Sequence, residues 1–424
     1  MYCNQCGNKV NKEDNYCIYC GNKIQKAKTI ISNNKKIINE SREQSNVAKI
    51  KNEEKEYQKP SIEILKKQDY IFDKNYIKET QQKLEEFFKE NKIEGKITKY
   101  YNSPNFITYA FSLKSGTKIE SITKRIKDLE AKLDSPKIKL EIAINNTNNL
   151  GIIVKKQTQN AICLRNVLEA DKNKNDFMSI PFGIDYLNKK YYYDISKLKN
   201  IIIKGSTGSG KSILINDIIV SILMKATPEE VKLVLIDQKK IELGIYNGIP
   251  HLLTPVVTDP IKASITLKTV VVEMERRYDL FEKTKVKNIV DYNKLIEEKN
   301  KKLSLIDKLQ KMPYIIVIID EISDLITVSR TEIENSIMHL TQMAFTTGIH
   351  LIISTSLLGK TIGLIEASFL TKIELNNRKN DLLLSLDGDM IIKNDYEHIN
   401  DKIQSPFISE EEINKVIDNI ILKK

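Results

Sequence analysis

The sequence predicts an α/β fold in which a doubly wound, mainly parallel sheet follows a small α+β domain and a cysteine-rich amino-terminal module. Strand-like apolar runs alternate with helical patterns from residue 176 onward, which is typical of parallel strands joined by helices. Shorter strands and helices precede this region, and four of the five cysteines fall within the first twenty residues. We therefore expect an amino-terminal module over 1–25, a charged linker over 26–60, a small α+β domain over 61–175 and the main domain over 176–424.

The bulk composition limits the kind of protein without identifying it. The 424 residues are 41% apolar and 29% charged, as in globular chains, and the formal net charge is +11. A basic chain suits an acidic partner, nucleic acid first and an anionic membrane second, but a lysine- and asparagine-rich genome produces the same excess. No apolar run approaches the roughly 18 residues of a membrane span, and the first residues lack a secretory core. We therefore expect a cytoplasmic protein without direct membrane insertion.

The amino-terminal module contains two C-x-x-C motifs within "CNQCGNKVNKEDNYCIYCGN". Two such knuckles direct four thiolates at one centre, which is the closed tetrahedral arrangement of structural zinc. Thiols in a reducing cytosol bind metal in preference to forming disulfides. Zinc ribbons bind either nucleic acid or proteins; because this one has only three lysines and no arginine, we favour a docking module for a protein partner. The predicted zinc ligands are Cys3, Cys6, Cys17 and Cys20.

The linker and the small domain differ in pattern. Residues 26–60 are polar and mixed in charge, so they are predicted to form a tether. In the small domain, "NYIKETQQKLEEFFKENKI" places Leu84, Phe87 and Phe88 at helical spacing, and "IESITKRIKDLEAKL" is helical again. The segments "NFITYAFSL", "IKLEIAI" and "LGIIVKK" predict strands. No catalytic constellation is evident in this domain.

The main domain opens with "NIIIKGSTGSGKS", an apolar strand followed by the pattern G-x-x-x-x-G-K-S and then by a helical pattern. This strand–loop–helix context is the one in which the motif binds nucleotide phosphates. Its glycines let backbone N–H groups point inward at the helix N-terminus, where they bind phosphate oxygens. Lys211 is expected to reach the β- and γ-phosphates, and Ser212 to ligate Mg²⁺. The predicted nucleotide contacts are Gly205, Ser206, Thr207, Gly208, Ser209, Gly210, Lys211 and Ser212.

A second apolar strand, "PYIIVIID", ends in an acidic pair. Asp320 is expected to hold Mg²⁺ through water and Glu321 to polarise an attacking water, although Glu321 could instead only cap the next helix. The segments "VKLVLID", "GIHLIISTS" and "LTKIEL" predict three further strands. Because parallel strands end at one edge of a sheet, Thr355 or Ser356 is expected beside the γ-phosphate as a polar sensor. Asp237 is a candidate for the same rim or for a helix N-cap.

The segments around these motifs resemble the motor domain of the FtsK/SpoIIIE DNA translocases. The similarity runs through "KATPEEVKLVLIDQKKIELGIYNGIPHLLTPVVTD", "VVEMERRYDLFEKTKVKNIVDYN", "PYIIVIIDEISDLI" and "AFTTGIHLIISTS", and the small domain resembles the one that precedes this motor. The resemblance implies a RecA-like ATPase that uses ATP and Mg²⁺, assembles as a ring, usually a hexamer, and drives double-stranded DNA through the pore. It assigns the nucleotide chemistry to Lys211, Ser212, Asp320 and Glu321. We expect neither a membrane anchor nor a winged-helix domain, as in motors of plasmids and integrative elements.

The chain also departs from that family at residues that matter. Where the family reads A-T-Q-R-P-S-V-D, this chain reads "STSLLGKT", so that Leu357 replaces an arginine expected to face DNA. Glu366 replaces a lysine, and Phe345 replaces the arginine before the "GIH" turn. An arginine that acts across the subunit interface, worth roughly 10³-fold or more in rate, is therefore missing or supplied from elsewhere. The candidates for that role are Arg276, Arg277 and Arg330, and those for restored phosphate contact are Lys360, Lys372, Arg378 and Lys379.

Three functions fit these observations. The first is an ATP-driven double-stranded DNA translocase that serves DNA transfer, segregation or a mobile element. The second is an FtsK-like protein-secretion ATPase, although those proteins usually carry tandem motor domains and forkhead-associated modules. The third is a nucleotide-binding zinc-ribbon scaffold with weak or no motor activity. The altered loop at Leu357 favours the scaffold, whereas the intact pair Asp320 and Glu321 favours the motor.

Overall fold

The computed structural model divides the chain into two units, Met1–Lys55 and Glu56–Lys424. The residues that the structure describes all belong to the second unit, and they are 57–70, 73–134, 137–144, 147–173, 176–304, 308–356, 362–375, 383 and 388–422. The predicted zinc ligands and nearly all of the predicted linker lie outside these residues.

The small domain is an antiparallel sheet covered by helices on one face. Its strand order is β1-β2-β4-β3, and helix α1 packs Phe88 against Phe111 of β2 with ring centroids 4.2 Å apart. The predicted helix over "IESITKRIKDLEAKL" is two helices, because the backbone leaves the helical region at Arg125 (φ −111°, ψ 15°). The elements are α1 Lys74–Glu90, β1 Gly95–Asn102, β2 Phe106–Leu113, α2 Ile119–Thr123, α3 Ile126–Lys132, β3 Ile138–Glu141 and β4 Leu150–Lys155.

The main domain is built on a nine-stranded sheet of order β6-β5-β13-β12-β11-β7-β10-β9-β8. Its elements in chain order are α4 Leu164–Leu168, β5 Ser179–Ile184, β6 Lys190–Asp194, α5 Ile195–Leu198, β7 Ile201–Lys204, α6 Lys211–Lys225, β8 Val231–Asp237, α7 Pro260–Thr284, α8 Ile289–Asn300, β9 Tyr314–Asp320, α9 Ile322–Met343, β10 Ile349–Thr355, α10 Gly363–Ser368, β11 Thr371–Leu375, β12 Asp389–Asn394, β13 Ile399–Gln404 and α11 Glu410–Leu422.

The parallel part of this sheet is the part that the sequence predicts. Strands β11, β7, β10, β9 and β8 are all parallel, and each coincides with a predicted strand. Strands β12, β13, β5 and β6 continue the sheet in antiparallel pairing and were not predicted. Sequences such as "KYYYD" and "INDKIQ" lack an apolar run because these strands are only half-buried. The sheet is therefore mixed. The expectation of a parallel sheet holds for the five strands from β11 to β8, which include the strand that leads into the nucleotide motif.

Helices cover both faces of the parallel half, as a doubly wound sheet requires. Side chains of β7 alternate between two cores: Ile201 and Ile203 pack with α6 and α11, whereas Ile202 packs with α7 and α9. Burial on both faces explains why β7, β9 and β10 are nearly continuous apolar runs, whereas β11 alternates between buried and half-buried residues. Among the described residues, no helix is both long and apolar enough to cross a membrane.

Candidate nucleotide site

The loop over 205–210 joins β7 to α6 at the carboxyl edge of the parallel strands. Gly208 and Gly210 have φ of 80° and 101°, a region that favours glycine, and Gly210 is the N-cap of α6. Gly388, which is far from the loop in sequence, contacts it. The amide of Gly388 donates to the carbonyl of Ser209 at 3.2 Å, and a Cβ on Gly210 would lie 3.2 Å from that same amide nitrogen. The loop is therefore held in a fixed conformation, and no side chain among the described residues caps the N-terminus of α6.

Lys211 spans this loop from inside. Its ammonium donates to the carbonyls of Gly205 at 2.7 Å and Ser206 at 3.1 Å. Burial lowers the pKa of Lys211, and the carboxylates of Glu321 and Asp320 oppose that shift. The cation therefore lies between the loop and the acidic pair, where the γ-phosphate of a nucleotide would need it.

The hydroxyl of Ser209 provides a test of whether the loop fits a phosphate. It is buried and has no hydrogen-bond partner among the described residues. A buried hydroxyl without a partner is costly, and a phosphate oxygen in the loop would satisfy it. The tip of the loop at 206–208 is exposed, so a ligand can reach it. These residues therefore fit a nucleotide phosphate.

Asp320 ends β9 directly beside Asp237 of β8, which is its register partner. Its Oδ1 accepts a hydrogen bond from the hydroxyl of Ser354 on β10 at 2.8 Å. Burial raises the pKa of Asp320, and the nearby carboxylates of Asp237, Glu242 and Glu321 add to the shift against the hydrogen bond from Ser354. A bound cation would relieve this concentration of negative charge.

The oxygen ligands that the protein offers here fit a magnesium site completed by water and nucleotide, and they do not fit a site in which the protein supplies every ligand. Mg²⁺ takes oxygen ligands, usually one or two from the protein and the rest from water and nucleotide phosphates. The hydroxyl of Ser212 in the first turn of α6 and the carboxylate of Asp320 are of this kind. No cluster of three or more His, Cys, Asp or Glu residues that could hold a metal ion occurs in the part of the chain that the structure describes.

Glu321 occupies the N-cap position of α9 but does not use its side chain as a cap. Its backbone is left-handed (φ 55°, ψ 79°), and its carboxylate turns toward β10. Both carboxylate oxygens accept the amide N–H of Ser356 at 3.0 Å, and Oε1 also accepts the hydroxyl of Ser323. Burial works against its charge, but these hydrogen bonds outweigh burial and lower the pKa of Glu321. The residue is therefore an ionised carboxylate beside Lys211.

The end of β10 contributes more than the sequence indicated. Thr355 is buried, and its carbonyl accepts the amide N–H of Gly205 at 3.2 Å, so it fixes the start of the phosphate loop. Its two neighbours contact the acidic pair: Ser354 holds Asp320, and the amide of Ser356 holds Glu321. Ser354 was not anticipated, and the only signal for it is a third hydroxyl residue in "STS" at the strand's end.

Asp237 lies at the rim but has a structural role. Its two carboxylate oxygens accept four backbone N–H groups of the following turn, at 2.9 to 3.1 Å, and the side chain is buried. These bonds shape the turn over 238–243. Of the two predicted roles, the structure therefore favours a capping one, at a turn instead of a helix.

Glu366, one of the departures from the family pattern, has a partner in this chain. Its carboxylate accepts the ammonium of Lys204 at 2.7 Å, and Glu374 lies 3.4 Å from the same nitrogen. Lys204 is the last residue of β7 and is 8% exposed. Burial disfavours its charge, but the two carboxylates outweigh burial and raise its pKa. Leu357, the other departure, lies outside the described residues, as do Lys360, Arg378 and Lys379.

The predicted substitutes for a trans-acting arginine differ in accessibility. Arg277 is 1% exposed and donates to Glu273 at 2.9 Å and to the carbonyl of Thr347 at 2.8 Å. It cannot reach a neighbouring subunit, so that prediction is wrong for Arg277. Arg276 and Arg330 lie on the surface with more than half of each side chain exposed.

Phe345, which stands where the family has an arginine, lies next to a lysine. Phe345 lies under the ammonium of Lys199, 4.5 Å from the ring centroid, and the ring of Tyr396 lies 4.0 Å from that same ammonium. Cations over aromatic faces are attracted by the ring quadrupole. The surface near Phe345 therefore has a positive charge, although it comes from the residue two positions before β7.

Comparison with known proteins agrees with this geometry. Residues 163–362 match the model of the FtsK/SpoIIIE family, and residues 60–155 match that of the FtsK alpha domain. The chain is 38% identical over 387 residues to DNA translocase FtsK of Bacillus cereus, covering 87% of this chain and 48% of that protein. It is 36% identical over 390 residues to DNA translocase SpoIIIE of Bacillus subtilis, covering 88% and 49%. The chain thus spans about half the length of the curated relatives it matches.

A solved structure supports the fold. The conjugation coupling protein TcpA of pCW3, in its monomer form with ATPγS, superposes with a TM-score of 0.51 over 80% of this chain and 99% of that one, at 19% identity. This likeness concerns the mixed α/β P-loop ATPase fold alone. The two family models match both the small domain and the nucleotide site, and this match shows that the chain belongs to the FtsK/SpoIIIE family.

Proposed function

We propose that this chain is an ATPase that uses ATP hydrolysis to move double-stranded DNA. One observation carries the ATPase part: Lys211 lies between the phosphate loop and the acidic pair Asp320 and Glu321, as nucleotide hydrolysis requires. The DNA part rests on the curated relatives, which are named DNA translocases. The formal net charge of +11 suits such a substrate.

In the proposed reaction each residue has one task. The amides over 205–210 and the ammonium of Lys211 bind the phosphates, and Ser212 and Asp320 hold Mg²⁺, which neutralises charge on the phosphate oxygens. Glu321 orients and polarises the attacking water. Thr355, whose carbonyl is bonded to the amide of Gly205, is proposed to position the loop against the γ-phosphate.

The assembly and the amino-terminal module belong to the same proposal. A RecA-like motor that moves DNA works as a ring, so we propose self-association, with a hexamer as the expected size. A cation from the adjacent subunit would then complete each nucleotide site. Cys3, Cys6, Cys17 and Cys20 are proposed to bind one Zn²⁺ in a ribbon that docks a protein partner.

The decisive experiment measures ATP turnover with and without double-stranded DNA at low salt, with Lys211→Ala as the blank. We expect turnover to rise when DNA is added and to fall back as salt is raised, since counterion release makes DNA binding salt-dependent. An ATP turnover rate that is the same with and without DNA at low salt would rule out the DNA motor.

A nucleotide-binding scaffold is the second candidate, and one observation favours it. Glu366 takes the place of a lysine and forms an ion pair with Lys204, so the pair presents less positive charge to DNA than the family's lysine would. A scaffold would bind ATP without turning it over at a useful rate. Tight nucleotide binding combined with turnover close to the Lys211→Ala blank, with or without DNA, would identify it.

A further inference from the structure

The carboxylate of Glu321 is held by donors on two sides. Its Oε1 and Oε2 both accept the amide of Ser356 at 3.0 Å, and Oε1 accepts the hydroxyl of Ser323 as well. The side chain is buried, with 7% exposure. The backbone of Glu321 is also fixed, since its amide donates to the hydroxyl of Ser354 at 3.0 Å.

Such a carboxylate is in a poor position to activate water. A group that orients or deprotonates a water must direct an oxygen lone pair at that water, within hydrogen-bond distance. An ionised carboxylate offers about four lone-pair positions, and three protein contacts from β10 and α9 leave about one of them open. These contacts also fix the direction of the open position, so Glu321 has to give up part of the set to turn that position toward a water.

The backbone conformation of Glu321 indicates that neighbouring residues hold it in place. Glu321 has φ 55° and ψ 79°, and a glutamate occupies that left-handed region only when its surroundings compensate for the strain. The hydrogen bond that the Glu321 amide donates to Ser354 and the one that its carboxylate accepts from Ser356 supply that compensation. Loss of the contact with Ser356 therefore gives Glu321 freedom to change both its backbone and its side chain.

Ser356 is well placed to link the phosphate loop to the acidic pair. It follows Thr355, whose carbonyl accepts the amide of Gly205 at 3.2 Å. The carbonyl of Thr355 and the amide of Ser356 belong to the same peptide unit, which therefore contacts the phosphate loop through its oxygen and Glu321 through its nitrogen. Rotation of this peptide unit acts on Glu321 and on the phosphate loop together, and it lies beyond the last register pairs of β10, which end at Thr355 with β7 and at Ile353 with β9.

We propose that the amide of Ser356 and the hydroxyl of Ser323 restrain Glu321 in a resting position, and that binding of the polymer releases it. This inference rests on the proposed function for the identity of the polymer, double-stranded DNA, but the restraint itself can be tested without DNA. Basal turnover is slow because most molecules hold Glu321 in the resting position. DNA raises turnover by shifting that population, not by adding a catalytic group.

The test compares basal ATP turnover in four variants. Ser356→Pro removes the amide donor together with the Ser356 hydroxyl, which also hydrogen-bonds Glu321. Ser356→Ala removes that hydroxyl and keeps the amide, and Ser323→Ala removes the hydroxyl donor of α9. Ser336→Ala, a buried serine of α9 that donates to the carbonyl of Glu332, is the matched control. Couplings of this kind are typically about 5- to 150-fold. We therefore expect basal turnover at least about fivefold above wild type in Ser356→Pro and Ser323→Ala, a smaller change in Ser356→Ala and none in Ser336→Ala.

Two further measurements make the outcome unambiguous. With saturating DNA the variants should reach the wild-type rate, so that their stimulation ratio falls. Adding Glu321→Gln to Ser323→Ala should abolish the gain, which shows that the effect passes through Glu321. If Ser356→Pro lowers the melting temperature, Ser323→Ala carries the test alone.

The opposite result would overturn the restraint. Basal turnover that is unchanged or lower in Ser323→Ala would mean that its hydroxyl orients Glu321 for the reaction, and the inference would be wrong. If wild-type turnover ignores DNA while Ser323→Ala still raises it, the restraint stands and the DNA motor fails.

Discussion

The hydroxyl of Ser354 donates to Oδ1 of Asp320 at 2.8 Å and, through the same oxygen, accepts the amide of Glu321 at 3.0 Å. One buried serine of β10 thus fixes both members of the acidic pair that ends β9. The hydrogen bond occupies Oδ1 of Asp320 and fixes the orientation of the carboxylate that we propose to hold Mg²⁺. Ser354 would then orient that carboxylate without contacting the metal.

Replacing Ser354 should weaken the response to magnesium. In Ser354→Ala the carboxylate of Asp320 loses its orienting donor, and losses of this kind cost about 10- to 100-fold in metal affinity. We expect the Mg²⁺ concentration for half-maximal ATP turnover to rise at least about tenfold. Ser336→Ala, which removes a buried hydroxyl away from the site, should titrate as wild type does. An unchanged magnesium titration in Ser354→Ala would contradict the assigned role.

Removing the ammonium of Lys211 should abolish turnover without unfolding the chain. Lys211→Ala loses the cation that bridges the phosphate loop and faces the acidic pair. Preorganised charges at a developing negative charge are worth at least about 100-fold in rate, so we expect a loss of that size or more. Lys262→Ala, an exposed lysine of α7, should retain full turnover. Equal rates for wild type and Lys211→Ala would show that the measured turnover comes from another site.

Asp217 of α6 should be a source of instability at neutral pH. It is fully buried, and neither carboxylate oxygen has a hydrogen-bond partner among the described residues. Burial raises the pKa of Asp217 well above its ordinary value, and the nearby carboxylate of Glu412 adds to this. Because the unfolded chain ionises at lower pH than the folded one, Asp217 costs more stability as pH rises.

Asp217→Leu should therefore stabilise the protein by about 1–3 kcal/mol at pH 8 and by less at pH 5. Thermal unfolding at the two pH values measures both the sign and the pH dependence. Asp279→Leu, at an exposed position of α7, is the control and should bring no such gain. A lower melting temperature for Asp217→Leu at pH 8 would show that the carboxylate is needed where it lies.

Two buried histidines should make the fold sensitive to acid. Burial lowers the pKa of His251 and of His350 to about 4. Each donates one ring N–H to a carbonyl, His251 to Ala226 at 3.1 Å and His350 to Lys199 at 3.0 Å. Since the unfolded chain binds these protons near pH 6.5 and the folded chain does not, stability is full above that pH and falls as pH drops toward 4.

The expected loss is about 2 kcal/mol per histidine between pH 8 and pH 5. His251→Gln keeps a donor for the carbonyl of Ala226 but cannot be protonated, so its stability should fall less steeply than wild type over that interval. His398→Gln, at an exposed position, should keep the wild-type slope. Equal slopes for His251→Gln and wild type would mean that His251 binds its proton as easily when folded.

The amino-terminal cysteines should bind one zinc ion per chain. Metal analysis of the purified protein tests this, and Cys17→Ser should lose the metal because a closed site needs all four thiolates. Cys163→Ser removes a half-buried thiol whose pKa is raised by burial, and it should retain the zinc. Removal of the metal should unfold the module over 1–25 and leave the melting of the main domain unchanged. Zinc retained in Cys17→Ser would refute the four-cysteine site.

The sequence predicts the parts of the site that are local in the chain. The glycines before Lys211 and the acidic pair after β9 are each readable within a dozen residues, because the loop and the strand that form them are continuous. Ser354 acts across a strand pairing on residues 33 and 34 positions earlier. Nothing in its own surroundings specifies that contact, since the register of β10 against β9 determines it.

A related distinction explains two of the missed strands, β6 and β13. All five parallel strands were predicted: four are largely buried on both faces and rich in apolar residues, and β11 alternates between buried and half-buried residues. Strands in the antiparallel part of the sheet, such as β6, contain tyrosines and charged residues. Their polar groups form side-chain hydrogen bonds, for example from the hydroxyl of Tyr193 to Asp401 at 2.6 Å. Such a strand has no periodic apolar signal, because its stability comes from pairing that only the folded sheet provides.

The contact between Gly388 and the phosphate loop has a practical consequence for anyone who shortens this chain. The family-model match ends at residue 362, and a truncated gene that stops there keeps every residue of the nucleotide motif. It nevertheless deletes Gly388, whose amide supports Ser209, and Ser405, whose amide donates to the carbonyl of Gly388 at 2.8 Å. The motif would then be complete in sequence but would lack this support, so a minimal expressible motor has to extend beyond β13 and include Ser405.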